Sequence, residues 1–251
     1  MIRYEREWVP KDYGTSLYIR PWAMSMENNL DVTRVPESYG MYCVISPVGS
    51  YFGDGIKPIN VIIDTDLKFI RGNDKSSASF KLGANYAPTV QPQREVNQKG
   101  FHNILWTYDG IISEVGVMNF FIVVINDDGQ KEIITPRLDG SILPGITRKS
   151  ILDLLRESLI DDFGVPLASK VTEREIRVDE LRKLLGEGRV LECFGCGTAV
   201  VMVPIKNLSI DSDNWTFPIG DGNFGSVYTH MYEKLTKIQY GQVAHEFQME
   251  I

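Results

Sequence analysis

Two apolar runs joined by an Asp-Gly turn limit what this chain can become. Phe120 to Ile125 is unbroken apolar sequence after Asn119, Lys131 to Thr135 contains Ile133 and Ile134, and Asp127, Asp128 and Gly129 stand between them. Asp-Gly tolerates the positive φ that a tight turn demands, so the segment predicts an antiparallel hairpin. Met41 to Ile45 and Ile59 to Ile63 are further β-rich runs, bounded by Ser46 to Gly49, Gly53 to Gly55 and Asp64 to Asp66. Between them Tyr51 to Pro58, with Gly53, Gly55 and Pro58, suits a crossing between two lobes.

Helical periods follow. After Pro144 and Gly145, Ile151, Leu155 and Leu159 share one face with Leu152 and Leu154 beside it, the 3.6-residue spacing of a buried helix. Asp179 to Leu185 reads as a helix with Asp179 as N-cap, and Ser226 to Tyr240 as another with a stripe of Val227, Met231, Leu235 and Ile238. Strands and helices mix without strict βαβ alternation, which favours an α+β fold with antiparallel sheet. There is no internal repeat or low-complexity tract.

Composition narrows the function classes. With 251 residues, 43% apolar and 24% charged, the chain can bury a core as one large domain or two smaller ones. A net charge of -7 offers no basic field to a phosphate backbone, which argues against a nucleic-acid partner. The longest apolar stretches, Phe120 to Ile125 and Val200 to Ile205, fall far short of the roughly 20 residues a bilayer needs, so no membrane span is expected. Met1 to Trp8 has no apolar signal core and carries early acids, making a cytoplasmic location the default, with a mitochondrial one open if the chain is cut from a longer precursor. Cys43, Cys193 and Cys196 are too few for a disulfide framework and suit a reducing compartment.

Three segments carry chemistry. In Lys81 to Tyr86 a lysine precedes a flexible turn bearing an amide and a phenol. A lone lysine is ordinarily a solvated surface cation; its functional alternative is a Schiff base to an aldehyde cofactor, with an amine that can attack and then shuttle a proton. In Ser113 to Asn119, Glu114 is either a turn acid at a strand entrance or the anionic partner of a protonated cofactor ring. The third is a pair of anion cradles: Leu143 to Arg148 at a helix start, and Phe194 to Ala199, a glycine turn with a hydroxyl. Each taken singly fits a plain turn or cap; together they suit a phosphate.

In combination, Lys81 to Val90, Glu114 to Asn119, Leu143 to Arg148 and Phe194 to Pro204 resemble the signature blocks of branched-chain amino-acid aminotransferases, within the fold type IV enzymes that use pyridoxal 5'-phosphate (PLP). Trp8 to Pro10, Gly14 to Pro21, Pro47 to Phe52, Gln239 to Gly241 and Ala244 to Glu246 resemble the eukaryotic-type members. The resemblance implies a remnant of a small α/β domain over 1–53, an interdomain linker over 54–68 and a large PLP-binding domain over 69–251, with a barrel-like antiparallel sheet and helices. By it, Lys81 would bond to the cofactor aldehyde and shuttle the proton, Tyr86 would contact the cofactor O3′, Glu114 would pair with the pyridine nitrogen, and Arg71 would be a further cofactor contact. Ile146 and Thr147 through their N–H groups, and Thr198 through its hydroxyl, would hold the phosphate. Tyr18, Tyr51 and Met118 would shape an apolar substrate pocket, Ala199 would offer an N–H to the substrate carboxylate, and Leu30 with Val32 would reach a neighbouring subunit's pocket. The implied activity is transamination of leucine, isoleucine and valine with 2-oxoglutarate, in a homodimer.

The sequence departs from that family in three places. The family has a considerable segment ahead of the part that begins here at Met1, supplying a phosphate-binding arginine and pocket aromatics, so the first lobe is expected to be a remnant with weakened cofactor affinity. Val117 stands at the usual threonine, removing a hydroxyl from the active-site turn. Cys193 and Cys196 form a CxxC displaced toward the glycine turn; with no second ligand pair it reads as structural. Alternatives are another type IV activity, such as D-amino acid transamination or aminodeoxychorismate cleavage, and a non-catalytic chain that pairs with a full-length subunit.

Overall fold

The computed structural model describes residues 1–31, 33–49, 55–66, 71–219 and 224–249. It divides into two compact units, Met1–Gly55 with Glu246–Ile251, and Ile56–His245. The crossing expected over 51–58 lies outside the described residues at 51–54, and the linker expected over 54–68 at 54, 67 and 68.

The first unit holds a short 3-10 turn, Arg6–Trp8, and two strands, β1 (Ser16–Ser25) and β2 (Tyr39–Val48). They pair antiparallel from Ser16 opposite Val48 to Ser25 opposite Tyr39. Trp22 stacks on Tyr42 with ring centroids 4.5 Å apart. None of its described residues is buried, so ladder hydrogen bonds and cross-strand pairs carry this hairpin.

The second unit contains β3 (Ile59–Ile63), α1 (Gly83–Tyr86), α2 (Val90–Gln98), β4 (Asn103–Tyr108), β5 (Ile111–Val115), β6 (Met118–Ile125), β7 (Lys131–Pro136), α3 (Ile146–Glu157), β8 (Lys170–Arg174), α4 (Val178–Gly186), β9 (Val190–Gly197), β10 (Val201–Ile210), β11 (Asp213–Thr216) and α5 (Ser226–Gln239). The order β11-β10-β3-β4-β5-β6-β7-β8 describes one sheet, and β9 pairs with both β10 and β6. That double pairing closes β10, β3, β4, β5, β6 and β9 into a ring, a small barrel with β7 and β8 extending from β6.

Most ladders are antiparallel, as expected, including the β6–β7 hairpin with Ile122 opposite Ile134 and Ile125 opposite Lys131. Three are not: β3 runs parallel to β4 and β10, and β7 parallel to β8. A parallel pair needs a crossover of a dozen or more residues, and the long connections 64–102 and 137–169 supply them. The first crossover is the stretch that carries Arg71, Lys81 and Tyr86.

The main core lies where α3 and α5 cover the sheet. Ile151, Leu152, Leu154 and Leu155 of α3 and Val227, Met231, Leu235 and Ile238 of α5 pack with Phe121, Val123 and Phe194. The rings of Phe121 and Phe194 stack at 5.2 Å, and Phe194 meets Tyr228 edge-on. Leu159 lies beyond the end of α3, and the cap of α4 is Arg177; Asp179 sits inside the first turn, where its charge faces the positive end of the dipole.

Candidate active site

The site begins at the β5–β6 turn. Gly116 there has φ 60, and a Cβ on it would overlap Asn103 Oδ1, so the position accepts only glycine. Its N–H donates to Ile104 O at 2.7 Å and its carbonyl accepts from Trp106 Nε1 at 2.8 Å. These bonds hold the turn without a side-chain hydroxyl at position 117, where Val117 is 56% exposed. The turn sets Glu114 opposite Asn119.

Glu114 is 1% exposed. Its Oε1 accepts from Leu143 N–H at 2.9 Å and from Asn119 Nδ2 at 3.2 Å. Arg71 Nη2 lies 2.9 Å from Oε2, an ion pair that leaves Oε2 without a hydrogen bond. Burial pushes the Glu114 carboxyl from its ordinary 4.5 up to about 7, against the opposing pull of Arg71, the Leu143 N–H and Lys81.

Lys81 precedes α1, and Asn85 fixes the loop before it. This buried amide donates to Ser77 O and Phe80 O, both at 2.8 Å, and accepts from Ser77 Oγ at 3.0 Å. The supposed flexible turn after Lys81 is therefore an anchored helical turn, Gly83–Tyr86. Lys81 Nζ stands 4.9 Å and Arg71 Cζ 5.7 Å from the centre of the Tyr86 ring. The Tyr86 hydroxyl, Arg71 Nε and Nη1 and Glu114 Oε2 are buried and have no hydrogen-bond partner among the described residues. An unpartnered buried polar atom costs about 1–3 kcal/mol, so four side by side mark a place built to meet a polar group. Two donors, a hydroxyl and an anionic acceptor fit a phosphorylated pyridine aldehyde, whose ring N–H, phenolic oxygen and phosphate need those types.

The two anion cradles differ in form. At α3, Gly145 is the N-cap and no side chain caps the helix, leaving the first N–H groups, those of Ile146 and Thr147 among them, without an intrahelical acceptor. Arg148 anchors that turn: it is 2% exposed, and its Nη2 donates to Pro136 O at 2.8 Å and to Glu173 Oε2 at 2.7 Å. The second segment is a strand, not a glycine turn. Gly195 lies within β9, where a Cβ would come within 2.9 Å of Val115 Cγ1, and only Thr198 to Val200 turn the chain into β10. Val201, next in line, holds φ 58, an unusual backbone for a β-branched residue.

Lys81, Tyr86, Arg71 and Glu114 are thus brought together directly, and Asn119 with Leu143 links them to the start of α3. Met118 flanks the end of β9, where a Cβ on Gly197 would stand 3.6 Å from its Cγ, so Thr198 and Ala199 follow closely on that contact. Tyr18, on β1, and Leu30 belong to the first unit; Tyr51 and Val32 lie outside the described residues. Cys193 and Cys196, three apart on β9, point to opposite faces, and burial pushes both thiols up. The sequence reading missed Asn85, Asn119 and Arg148 as organisers of the site.

Residues 59–208, from β3 into β10, match the amino-transferase class IV family, and the chain belongs to it. Among its relatives, the branched-chain-amino-acid aminotransferase of Dictyostelium discoideum is 40% identical over 95% of this chain and 61% of its own length. The mitochondrial enzyme of Bos taurus is 38% identical over 100% of this chain and 62% of its own, and the cytosolic one of Rattus norvegicus 39% over 100% and 59%. The chain therefore spans about three fifths of the length of these relatives. The fold type IV architecture recurs in the Escherichia coli branched-chain amino acid aminotransferase (TM-score 0.66, 23% identity, 92% of this chain and 67% of that one). It recurs also in the PLP form of the enzyme from Thermobaculum terrenum (TM-score 0.69, 22% identity, 90% and 65%). Relatives occur in mitochondrial and cytosolic forms, and no helix among the described residues is long and apolar enough to cross a membrane.

Proposed function

We propose that this chain holds PLP and takes part in transamination of branched-chain L-amino acids with 2-oxoglutarate as acceptor, working as a homodimer. The observation that carries the proposal is the buried Arg71–Glu114 pair with the unpartnered Tyr86 hydroxyl beside it and the Lys81 amine over the same ring. PLP, when bound, supplies the electron sink for a carbanion at the amino acid Cα.

Lys81 holds the cofactor aldehyde and carries the proton to and from Cα. Glu114, shut away from water, keeps the ring nitrogen protonated through Oε2, while its Oε1 is committed to Leu143 and Asn119. Tyr86 orients the phenolic oxygen, Arg71 adds positive charge, and the Ile146 and Thr147 N–H groups with the Thr198 hydroxyl hold the phosphate. Met118 supplies apolar wall, and the Ala199 N–H binds the substrate carboxylate. The named substrates of the relatives support the branched-chain preference. The test supplies the chain with PLP, 2-oxoglutarate and single amino donors and measures glutamate. Leucine, isoleucine and valine should each yield it, and a preference for D-alanine would overturn the substrate class.

A further inference from the structure

Asn119, the second residue of β6, lies opposite Glu114 and beside Cys196 of β9. Its Nδ2 donates to Glu114 Oε1 at 3.2 Å and to Leu143 O at 2.9 Å, while Leu143 N–H donates to the same Oε1 at 2.9 Å. These three bonds form a closed set in which one amide ties a carboxylate on β5 to the segment entering α3. On the far side, a Cβ on Gly145 would overlap Asn119 Oδ1, so the residue that opens α3 packs against this amide only as glycine. Asn119 itself is 5% exposed, and water has little part in these contacts.

We propose that Asn119 is a positioning residue that holds Glu114 and the first turn of α3 as one unit, keeping the ring-nitrogen acceptor and the phosphate-holding N–H groups at a fixed separation. What those two ends hold rests on the PLP function proposed above; the coupling rests on the hydrogen bonds alone. An asparagine suits the task because it donates twice from one nitrogen without adding charge. A donor to an ionised carboxylate favours its charged form, so Asn119 also lowers the proton affinity of Glu114. Burial opposes it, Arg71, the Leu143 N–H and Lys81 act in the same direction as Asn119, and the nearby Cys196 thiol is kept protonated by its own burial.

The test follows the Glu114 carboxyl by carbon-detected NMR in the full chain, assigned with Glu114→Gln, across pH in wild type, Asn119→Ala and Gly145→Ala. The last variant keeps the amide but drives a methyl against it from α3. PLP affinity is measured by fluorescence on the same samples. Both variants should raise the Glu114 titration midpoint by about one pH unit and weaken PLP binding on the order of tenfold, the size of one hydrogen bond to a charged group. An unmoved midpoint in folded variants overturns the proposal, because packing alone would change thermal stability and leave that midpoint in place. If Asn119→Ala fails to fold, Gly145→Ala decides. If wild type binds no PLP while the midpoint still moves, the cofactor assignment falls and the positioning role stands.

Discussion

Glu114 is an acid withdrawn from water, and its cost depends on pH. Below about pH 4.5 folded and unfolded chains both keep its proton, and the group favours neither. As pH rises the unfolded chain releases the proton first and the folded chain only near 7, so the carboxyl increasingly opposes folding across that window, by on the order of 3 kcal/mol above it. Glu114→Gln abolishes this dependence and adds a constant penalty for Arg71 left beside an uncharged amide. In urea titrations the stability difference between the two proteins should therefore move toward the variant between pH 4.5 and 7.5; a difference independent of pH would contradict the assignment. Lys81 and Glu114 could be singled out in sequence because each belongs to a short block whose residue types suit the proposed chemistry. Asn119 and Arg148 were not, because their partners Leu143 and Glu173 lie 24 and 25 residues away, and only the folded chain brings them into contact.

At the scale of elements, α3 shows what a helix start requires when it must leave its own N–H groups open. Gly145 offers no capping side chain, so Arg148 takes over the fixing of the turn from below, reaching β7 at Pro136 and β8 at Glu173. Arg148→Ala should cost about 2–4 kcal/mol in urea unfolding, since it deprives a buried carbonyl and a carboxylate of a donor, though Glu173 keeps Arg156. A loss under about 0.5 kcal/mol, the range of an ordinary surface substitution, would show that the anchor is dispensable. The 3.6-residue period made α3 and α5 legible, and alternation with an Asp-Gly turn did the same for β6 and β7. The glycines of β9 were misread as a turn because glycine serves both tight turns and close strand packing. What separates the two is Val115 against Gly195, a contact that no local pattern encodes.

For the molecule as a whole, the residue patterns indicated mixed α and β elements around an antiparallel sheet and the family resemblance a barrel-like closure, but neither indicated which strands close it. Closure depends on β9 pairing with β6 on one side and β10 on the other, and on β3 entering parallel after a crossover that also bears the lysine. Register between distant strands is set by which faces are buried in the finished barrel, so it cannot be read from a window of local sequence. The same closure sets Glu114 from β5 beside Arg71 from the crossover. The central claim is that this barrel holds PLP through Lys81, and it is tested most directly by incubating the whole chain with PLP, reducing with borohydride and mapping the modified peptides by mass. The expected result is a pyridoxyl group concentrated on the peptide carrying Lys81 and absent from Lys81→Ala. Label spread evenly over exposed lysines such as Lys149 and Lys183, with Lys81 no richer than they are, would contradict it.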